Sequence, residues 1–180
     1  MSVVRNIKGK SYRIAFCGSM GSGKTYASNL VVSQLAHCKK MSFATPIKDI
    51  VAQFNKSDRA SHIMVGMVGR SLDPDVWAKD LKKRLSRMSG NIVVDDIRYE
   101  NEAKMLKEEG FTIVYLNTPW HVRFKRIRER SDNYLDHIQH FNDPSEVACE
   151  SIDKSYFDYV WSLPSDVDDG IDKLLCENQF

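Results

Sequence analysis

Short apolar runs recur along this chain and alternate with stretches that are able to form helices. Five of the runs have the length of a β-strand and are rich in β-branched or aromatic residues: 12–17, 41–44, 92–94, 112–116 and 156–161. Strands that alternate with helices favour a parallel sheet that is covered by helices on both faces. The pattern therefore predicts an α/β fold, a three-layer sandwich with about five parallel strands.

Proline positions mark the predicted starts of several helices. Four of the five prolines directly follow a residue that can cap a helix, in the pairs Thr45-Pro46, Asp73-Pro74, Thr118-Pro119 and Asp143-Pro144. Proline fits the first position of a helix because the N–H that it lacks would have no partner there. We expect a helix to begin at each of these pairs. Further helices are expected at 26–36 and from near Ser165.

The most informative segment lies between the first predicted strand and the helix expected at 26–36. Residues 18–25, here called the phosphate loop, read Gly-Ser-Met-Gly-Ser-Gly-Lys-Thr and fit the phosphate-binding pattern G-x-x-x-x-G-K-[ST]. A strand before the glycines and a helix after them are the context that this pattern requires. The segment is therefore predicted to bind ATP through Ser19, Met20, Gly21, Ser22, Gly23, Lys24 and Thr25.

Each residue type in the phosphate loop favours the binding of an anion. Glycines let backbone N–H groups turn toward phosphate oxygens, and the start of the following helix adds a partial positive charge. Lys24 is expected to reach the β- and γ-phosphates and thus to be catalytic, and the Thr25 hydroxyl is expected to bind Mg²⁺. ATP and Mg²⁺ are therefore the predicted cofactors.

A second candidate site follows the strand predicted at 92–94. Asp95 and Asp96 come directly after its apolar residues, and an acidic strand end is typical of a carboxylate that lies near Mg²⁺. Successive residues of a strand point to opposite faces, so we expect only one of the two to approach the metal. Arg98 lies at the same end, where it is expected either to bind a phosphate or to pair with Asp96 or Glu102.

A basic segment at 123–130 follows the Thr118-Pro119 pair and leads into a polar stretch. Phosphoryl transfer needs cations around the moving group and a cover that excludes water, so a helical lid is predicted over about 123–143. Arg126 and Arg130 are about one helical turn apart and share a face. They are the predicted catalytic arginines, although a charged run is also typical of a solvated helix face.

Composition narrows the classes of protein to which the chain can belong. With 180 residues, of which 42% are hydrophobic and 28% are charged, the sequence fits one soluble domain over 1–180. A net charge of +2 argues against general affinity for nucleic acid. No apolar run approaches the length of a membrane span. Four scattered cysteines favour a reduced, cytoplasmic protein with free thiols.

Four further motifs follow one another along the chain. They are a Pro-hydrophobic-Lys-Asp core at 46–49, an arginine-to-tryptophan stretch at 70–77, an Asp-x-Arg-x-x-x-Glu signature at 96–102 and a Ser-Glu pair at 145–146. In this order, and together with the phosphate loop, they resemble the bacteriophage deoxynucleoside monophosphate kinases, a branch of the P-loop nucleoside monophosphate kinases. The resemblance covers most of the chain from Ile14 onward, and the signature and the tryptophan stretch are its most specific parts.

The resemblance implies a P-loop NTPase fold and the ATP-dependent phosphorylation of a deoxynucleoside 5′-monophosphate to the diphosphate. It also implies the host cytoplasm as the location if a phage encodes the chain, and it suggests a homodimer. By position, it assigns the monophosphate substrate to Lys48, Arg70, Trp77, Asp96, Arg98 and Glu102.

Two questions stay open at the level of the sequence. Trp77 has the helical spacing of a core residue, together with Leu81 and Leu85, so its ring is expected either to pack in the core or to stack on a base. The same site residues also suit a P-loop kinase for another small phosphorylated metabolite, of the dephospho-coenzyme A or phosphomevalonate type. A non-kinase nucleotide-binding module is the second alternative, and it would bind ATP without acceptor-stimulated turnover.

Overall fold

Five parallel strands form one sheet in the computed structural model, which describes residues 11–130, 143–162 and 164–177. The strands are β1 (Arg13–Cys17), β2 (Lys39–Met41), β3 (Ile92–Ile97), β4 (Thr112–Leu116) and β5 (Tyr159–Trp161). Their order across the sheet is β2-β3-β1-β4-β5, and every neighbouring pair is parallel. The predicted α/β fold with about five parallel strands is confirmed.

Helices connect the strands and cover both faces of the sheet. Those in the described residues are α1 (Lys24–Gln34), α2 (Thr45–Gln53), α3 (Arg59–Leu72), α4 (Val76–Leu85), α5 (Glu100–Glu108), α6 (Trp120–Arg130), α7 (Pro144–Ser151) and α8 (Pro164–Glu177). A short 3₁₀ helix at Lys154–Tyr156 precedes β5. Within the described ranges, no helix has the length and apolar character needed to cross a membrane.

Alternate residues of β1 pack into two separate cores, one on each face of the sheet. Ile14 and Phe16 join the core formed with α1 and α8, whereas Ala15 and Cys17 join the core formed with α4 and α5. All four side chains are at most 1% exposed. A strand that is buried on both faces needs apolar residues at every position, which explains the continuous apolar run in the sequence.

Several predicted boundaries differ from those of the structure. β2 ends at Met41 rather than beginning there, and β3 continues through Asp95 and Asp96 to Ile97. The Asp73-Pro74 pair does not begin a helix, because the Asp73 carboxylate accepts the N–H of Asp75 at 3.0 Å and closes a turn before α4. The Asp143-Pro144 pair does begin one, with Asp143 at the N-cap of α7.

The hydrophobic pattern does not predict α3. Only Gly66 of this helix is buried, and the apolar side chains of Met64, Val68 and Leu72 are each more than half exposed. Its clearest sequence signal is Asp58, whose carboxylate accepts the N–H of Ser61 at 2.8 Å and caps the helix. This helix forms one wall of the cleft described below.

The phosphate loop begins where β1 ends. Cys17, the last residue of β1, lies opposite Ile97 of β3 and Tyr115 of β4, so the loop starts between the carboxyl ends of both neighbours. In parallel sheets, ligands bind at this edge, beyond the carboxyl ends of the strands.

Candidate active site

A cleft of about 620 Å³ lies at the carboxyl ends of β2 and β3, beside the phosphate loop. Side chains of α2, α3 and α5 line its other walls, together with the start of α7. Most of the predicted site residues meet here although they are distant in sequence. Those that line the cleft are Met20, Gly21, Gly23, Lys24, Thr25, Lys48, Arg70, Asp95, Asp96, Arg98 and Glu102.

The phosphate loop depends on glycine at two positions where the backbone is left-handed and closely packed. A Cβ on Gly18, whose φ is 147°, would lie 2.7 Å from Ser22 Oγ and 2.8 Å from the Leu116 carbonyl oxygen. A Cβ on Gly21, whose φ is 78°, would lie 2.9 Å from the Arg123 carbonyl oxygen. Any larger residue would therefore open the loop.

Lys24 is buried, and its ammonium group donates hydrogen bonds to the carbonyl oxygens of Gly18 and Ser19. Burial lowers the pKa of Lys24 to about 8; the nearby Arg98 charge acts in the same direction and the Glu146 carboxylate opposes it. The lysine thus rests on its own loop, and an incoming anion would offer it a better partner than two neutral carbonyls.

The two aspartates of β3 have different surroundings. Asp96 accepts three hydrogen bonds from the segment after β2, from Ser42 Oγ and from the N–H groups of Phe43 and Ala44. Its carboxylate therefore holds that segment in place.

Asp95 faces α1 instead. Its Oδ2 atom accepts a hydrogen bond from Ser28 Oγ at 2.9 Å and lies 2.6 Å from Lys40 Nζ. Ser28 Oγ also lies 3.1 Å from the Thr25 carbonyl oxygen, so this serine links Asp95 to the end of the phosphate loop.

Thr25 and Asp95 are the candidate oxygen ligands for Mg²⁺. Both line the cleft, and hydroxyl and carboxylate oxygens are the hard ligands that Mg²⁺ prefers. Among the residues that the structure describes, no group of three or more His, Cys, Asp or Glu could hold a metal ion alone. A Mg²⁺ here would need phosphate oxygens and water to complete its shell.

Three arginines, here called the arginine cluster, line the cleft: Arg59 and Arg70 of α3, and Arg98 directly after β3. Arg98 Nη1 lies 2.8 Å from Glu146 Oε1, and Arg59 Nη2 lies 3.4 Å from the same oxygen. Burial acts to lower the pKa of Arg98, but the Glu146 carboxylate and Cys149 act against it, and the net shift is upward. Arg98 is therefore charged at every physiological pH.

Arg70 has a different set of partners. Its guanidinium lies 4.0 Å above the centre of the Tyr99 ring, and its Nη2 atom lies 3.7 Å from Glu102 Oε1. Glu102 is 2% exposed and accepts the N–H groups of Arg98 and Tyr99 through its other oxygen. Burial raises the pKa of Glu102 to about 7. Glu102 thus fixes the start of α5 and positions two members of the arginine cluster.

Trp77 lies outside this cleft. Its side chain is 6% exposed, its Nε1–H donates to the Gly66 carbonyl oxygen at 3.1 Å, and its ring packs directly against Gly69. Of the two roles expected for Trp77, the structure therefore gives it core packing between α3 and α4.

Arg126 contacts the phosphate loop without lining the cleft. Its Nη1 atom donates to the carbonyl oxygens of Gly21 and Ser22, at 3.2 and 3.0 Å. The arginine thereby holds the phosphate loop through its carbonyl oxygens and occupies none of its N–H groups. The side chain of Arg130 and residues 131–142, which make up most of the predicted lid, lie outside the described residues.

Sequence reasoning did not single out three residues that line or adjoin the cleft, namely Lys40, Arg59 and the carboxylate of Glu146. Lys40 lies inside β2, but the pattern begins that strand at Met41 and so leaves Lys40 in front of it. Arg59 opens α3, the helix that the pattern does not predict. Glu146 occurs in the Ser-Glu motif, yet its role depends on contacts with segments more than forty residues away.

Comparisons with known proteins agree with this architecture. A family model described as an AAA domain matches residues 14–150. ORF77 of Ictalurid herpesvirus 1 (strain Auburn), an uncharacterised protein, is 26% identical over 161 residues, which cover 84% of this chain and 69% of that protein. ORF76 of the same virus is 28% identical over 116 residues, and the match covers 59% of this chain and only 48% of ORF76.

Solved structures with the same fold include small-molecule kinases. A sugar kinase from Janibacter sp. HTCC2649 superposes with a TM-score of 0.57 at 16% identity, covering 93% of this chain and 94% of that one. A shikimate kinase from Acinetobacter baumannii superposes with a TM-score of 0.53 at 16% identity, covering 95% and 96%. At such low identity these similarities show the fold alone.

Proposed function

This chain belongs to the AAA domain family and has the fold of P-loop kinases, and on that premise we propose that it phosphorylates deoxynucleoside 5′-monophosphates with ATP. One observation carries the proposal. A single cleft joins a phosphate loop to the arginine cluster, and therefore offers two separate places for phosphate groups. The Asp-x-Arg-x-x-x-Glu signature supplies Arg98 of the second place and Glu102, which lies beside Arg70, and this supports the resemblance to the deoxynucleoside monophosphate kinases.

In the ATP half of the cleft, the backbone N–H groups of the phosphate loop and the Lys24 ammonium bind the triphosphate. Thr25 and Asp95 would hold Mg²⁺, which would neutralise charge on the phosphate oxygens. Lys40 lies 2.6 Å from the Asp95 carboxylate at this end, so its charge becomes available to phosphate oxygens when the carboxylate turns to the metal. The protein forms no covalent bond with either substrate in this proposal; it positions them and stabilises charge.

In the acceptor half, Arg98 and Arg59 hold the 5′-phosphate of the monophosphate, and Arg70 and Lys48 surround it. Guanidinium groups suit this role because they bind phosphate oxygens in pairs. Tyr99 lines the same wall, and Arg70 covers one face of its ring, so the nucleoside would contact the rest of this side chain. The phosphate oxygen of a monophosphate is already anionic, so the transfer needs no dedicated general base.

The experiment is an acceptor panel with purified protein, ATP and Mg²⁺, in which ADP and the phosphorylated product are both quantified. The panel contains dAMP, dGMP, dCMP and dTMP, with dephospho-coenzyme A, phosphomevalonate and shikimate as the alternatives. We expect at least one deoxynucleotide to stimulate ADP formation and to appear as its diphosphate. A preparation of the Lys24→Ala variant, purified in parallel, measures any contaminating host kinase.

Two results would overturn the proposal. Turnover with another acceptor, but with none of the four deoxynucleotides, would make the chain a kinase of a different metabolite. ATP binding without stimulation by any acceptor would favour a nucleotide-binding module.

A further inference from the structure

Helix α7 is fastened to the phosphate loop by two acidic side chains one turn apart. Glu146 Oε2 accepts the backbone N–H of Met20 at 2.7 Å, and Glu150 Oε1 accepts the hydroxyl of Ser19 at 2.8 Å. The first contact is unusual for a phosphate-binding loop, because a carboxylate of the protein itself takes up one of the N–H groups that line the cleft.

The other oxygen of the same carboxylate faces the arginine cluster. Glu146 Oε1 lies 2.8 Å from Arg98 Nη1 and 3.4 Å from Arg59 Nη2. Glu146 is 2% exposed, so these partners, and not water, compensate its charge. One buried carboxylate therefore joins the backbone of the ATP half to two guanidinium groups of the acceptor half.

These three partners of Glu146 in the described part of the chain are groups that the proposed function assigns to phosphate binding. A phosphate that enters either half competes with the carboxylate for its donors, and the two anions also repel each other. The first phosphate to bind must therefore displace Glu146. The same carboxylate contacts both halves, so its displacement also frees the donors of the other half. The second phosphate therefore binds without the free-energy cost of displacing Glu146.

Resting on the proposed function, we propose that Glu146 is a positioning residue that couples the two halves of the cleft: it holds their phosphate-binding groups together until either substrate displaces it. The coupling is positive, so each substrate strengthens the binding of the other, and by linkage the factor is the same in both directions. Helix α7 thus transmits the occupancy of one half of the cleft to the other.

The test is calorimetric binding of the magnesium complex of a non-hydrolysable ATP analogue, with and without each of the four deoxynucleotides. For the wild type, we expect at least one deoxynucleotide to raise the affinity for the analogue by about fivefold or more. For Glu146→Gln, which keeps the shape of the side chain and removes its charge, we expect severalfold tighter binding of the analogue alone and a coupling factor below about twofold.

Glu150→Gln is the matched control. It lies on the same helix and contacts Ser19 of the same loop, but its carboxylate pairs with Arg123 outside the arginine cluster, so the coupling factor should stay at the wild-type value. Thermal unfolding of each variant establishes that it is folded. If Glu146→Gln does not fold, the wild-type coupling factor decides alone, because independent binding of the two ligands contradicts the proposal.

The outcomes separate this inference from the proposed function. Weaker or unchanged binding of the analogue by folded Glu146→Gln would overturn the inference, since it would mean that the carboxylate supports the site and does not compete for it. If no deoxynucleotide binds any variant, the proposed function fails, whereas tighter binding of the analogue alone by Glu146→Gln would still show that the carboxylate competes for the loop.

Discussion

The two halves of the cleft are built in different ways. The phosphate loop consists of eight consecutive residues, and backbone N–H groups and glycine conformations supply most of its binding capacity. The arginine cluster comes from α3 and from the end of β3, and each of its side chains has an acidic partner. A binding site made of backbone N–H groups depends on a few glycines that adopt left-handed conformations. A site made of paired side chains can lose one of them by substitution and keep part of its affinity.

The largest effect is expected from Lys24→Ala. The variant removes the cationic side chain of the phosphate loop, so kcat should fall by about a thousandfold, as when a charge-stabilising group is lost from a transition state. The melting temperature should change little, because the hydrogen bonds that the structure gives this ammonium go to neutral carbonyls of its own loop. Steady-state kinetics and thermal unfolding check both points; a rate within tenfold of wild type contradicts the assignment of the ATP half.

Arg98→Ala should act on the other half. Loss of a charged hydrogen-bond donor to phosphate costs about 2 kcal/mol, so the KM of the acceptor should rise by about thirtyfold while the KM of ATP changes much less. The variant also leaves the buried Glu146 carboxylate without its nearest cation and should lower the melting temperature. Arg87→Ala, an exposed arginine outside the cleft, is the control. An increase confined to the KM of ATP would contradict the division into two halves.

The pH dependence of ATP binding should identify Lys24 directly. Its ordinary pKa is 10.5 and burial lowers it to about 8, so in the free protein the ammonium loses its charge as the pH rises through about 8. Bound phosphate favours the charged form and raises this pKa again. The affinity for ATP should therefore fall by up to about tenfold per pH unit above 8, and binding should take up a proton there.

Calorimetry in two buffers of different ionisation enthalpy measures that proton. The Lys24→Arg variant, whose charge is permanent, should show no uptake at pH 8 to 9. Equal uptake by wild type and variant would assign the proton to another group.

The smallest effect is expected from Trp77→Phe, which tests whether Trp77 contacts the acceptor. The change removes the hydrogen bond to the Gly66 carbonyl oxygen and should lower the free energy of unfolding by about 1 kcal/mol. The acceptor KM should stay within about twofold, because the ring lies outside the cleft. A large rise in that KM without a loss of stability would instead indicate that Trp77 contacts the base.

The sequence predicts the fold better than it predicts the element boundaries. Strands buried on both faces leave continuous apolar runs, so β1, β3 and β4 are evident from the pattern alone. Short edge strands bury fewer side chains, and the predictions for β2 and β5 are accordingly displaced or too long. The pattern omits α3 because most of its apolar side chains face outward.

For the candidate site as well, the sequence predicts some features and leaves others undecided. The phosphate-loop pattern points to Lys24 and Thr25, and the acidic strand end points to Arg98. The resemblance to a known family adds Arg70 and Glu102, and all five residues line the cleft. It does not separate Asp95 from Asp96, because the difference between them lies in their partners. Asp96 is held by the segment after β2, and Asp95 pairs with Lys40 and Ser28.

The sequence by itself determined the α/β order of elements and the phosphate loop, because both follow from local backbone preferences and from the burial of neighbouring residues. Only the tertiary structure decided which charges meet. Arg59 of α3, Arg98 directly after β3 and Glu146 of α7 come together at one edge of the sheet, and no spacing in the sequence encodes their contacts. The energy of an ion pair depends on the distance between the charges in the folded chain, and the tertiary structure alone sets that distance.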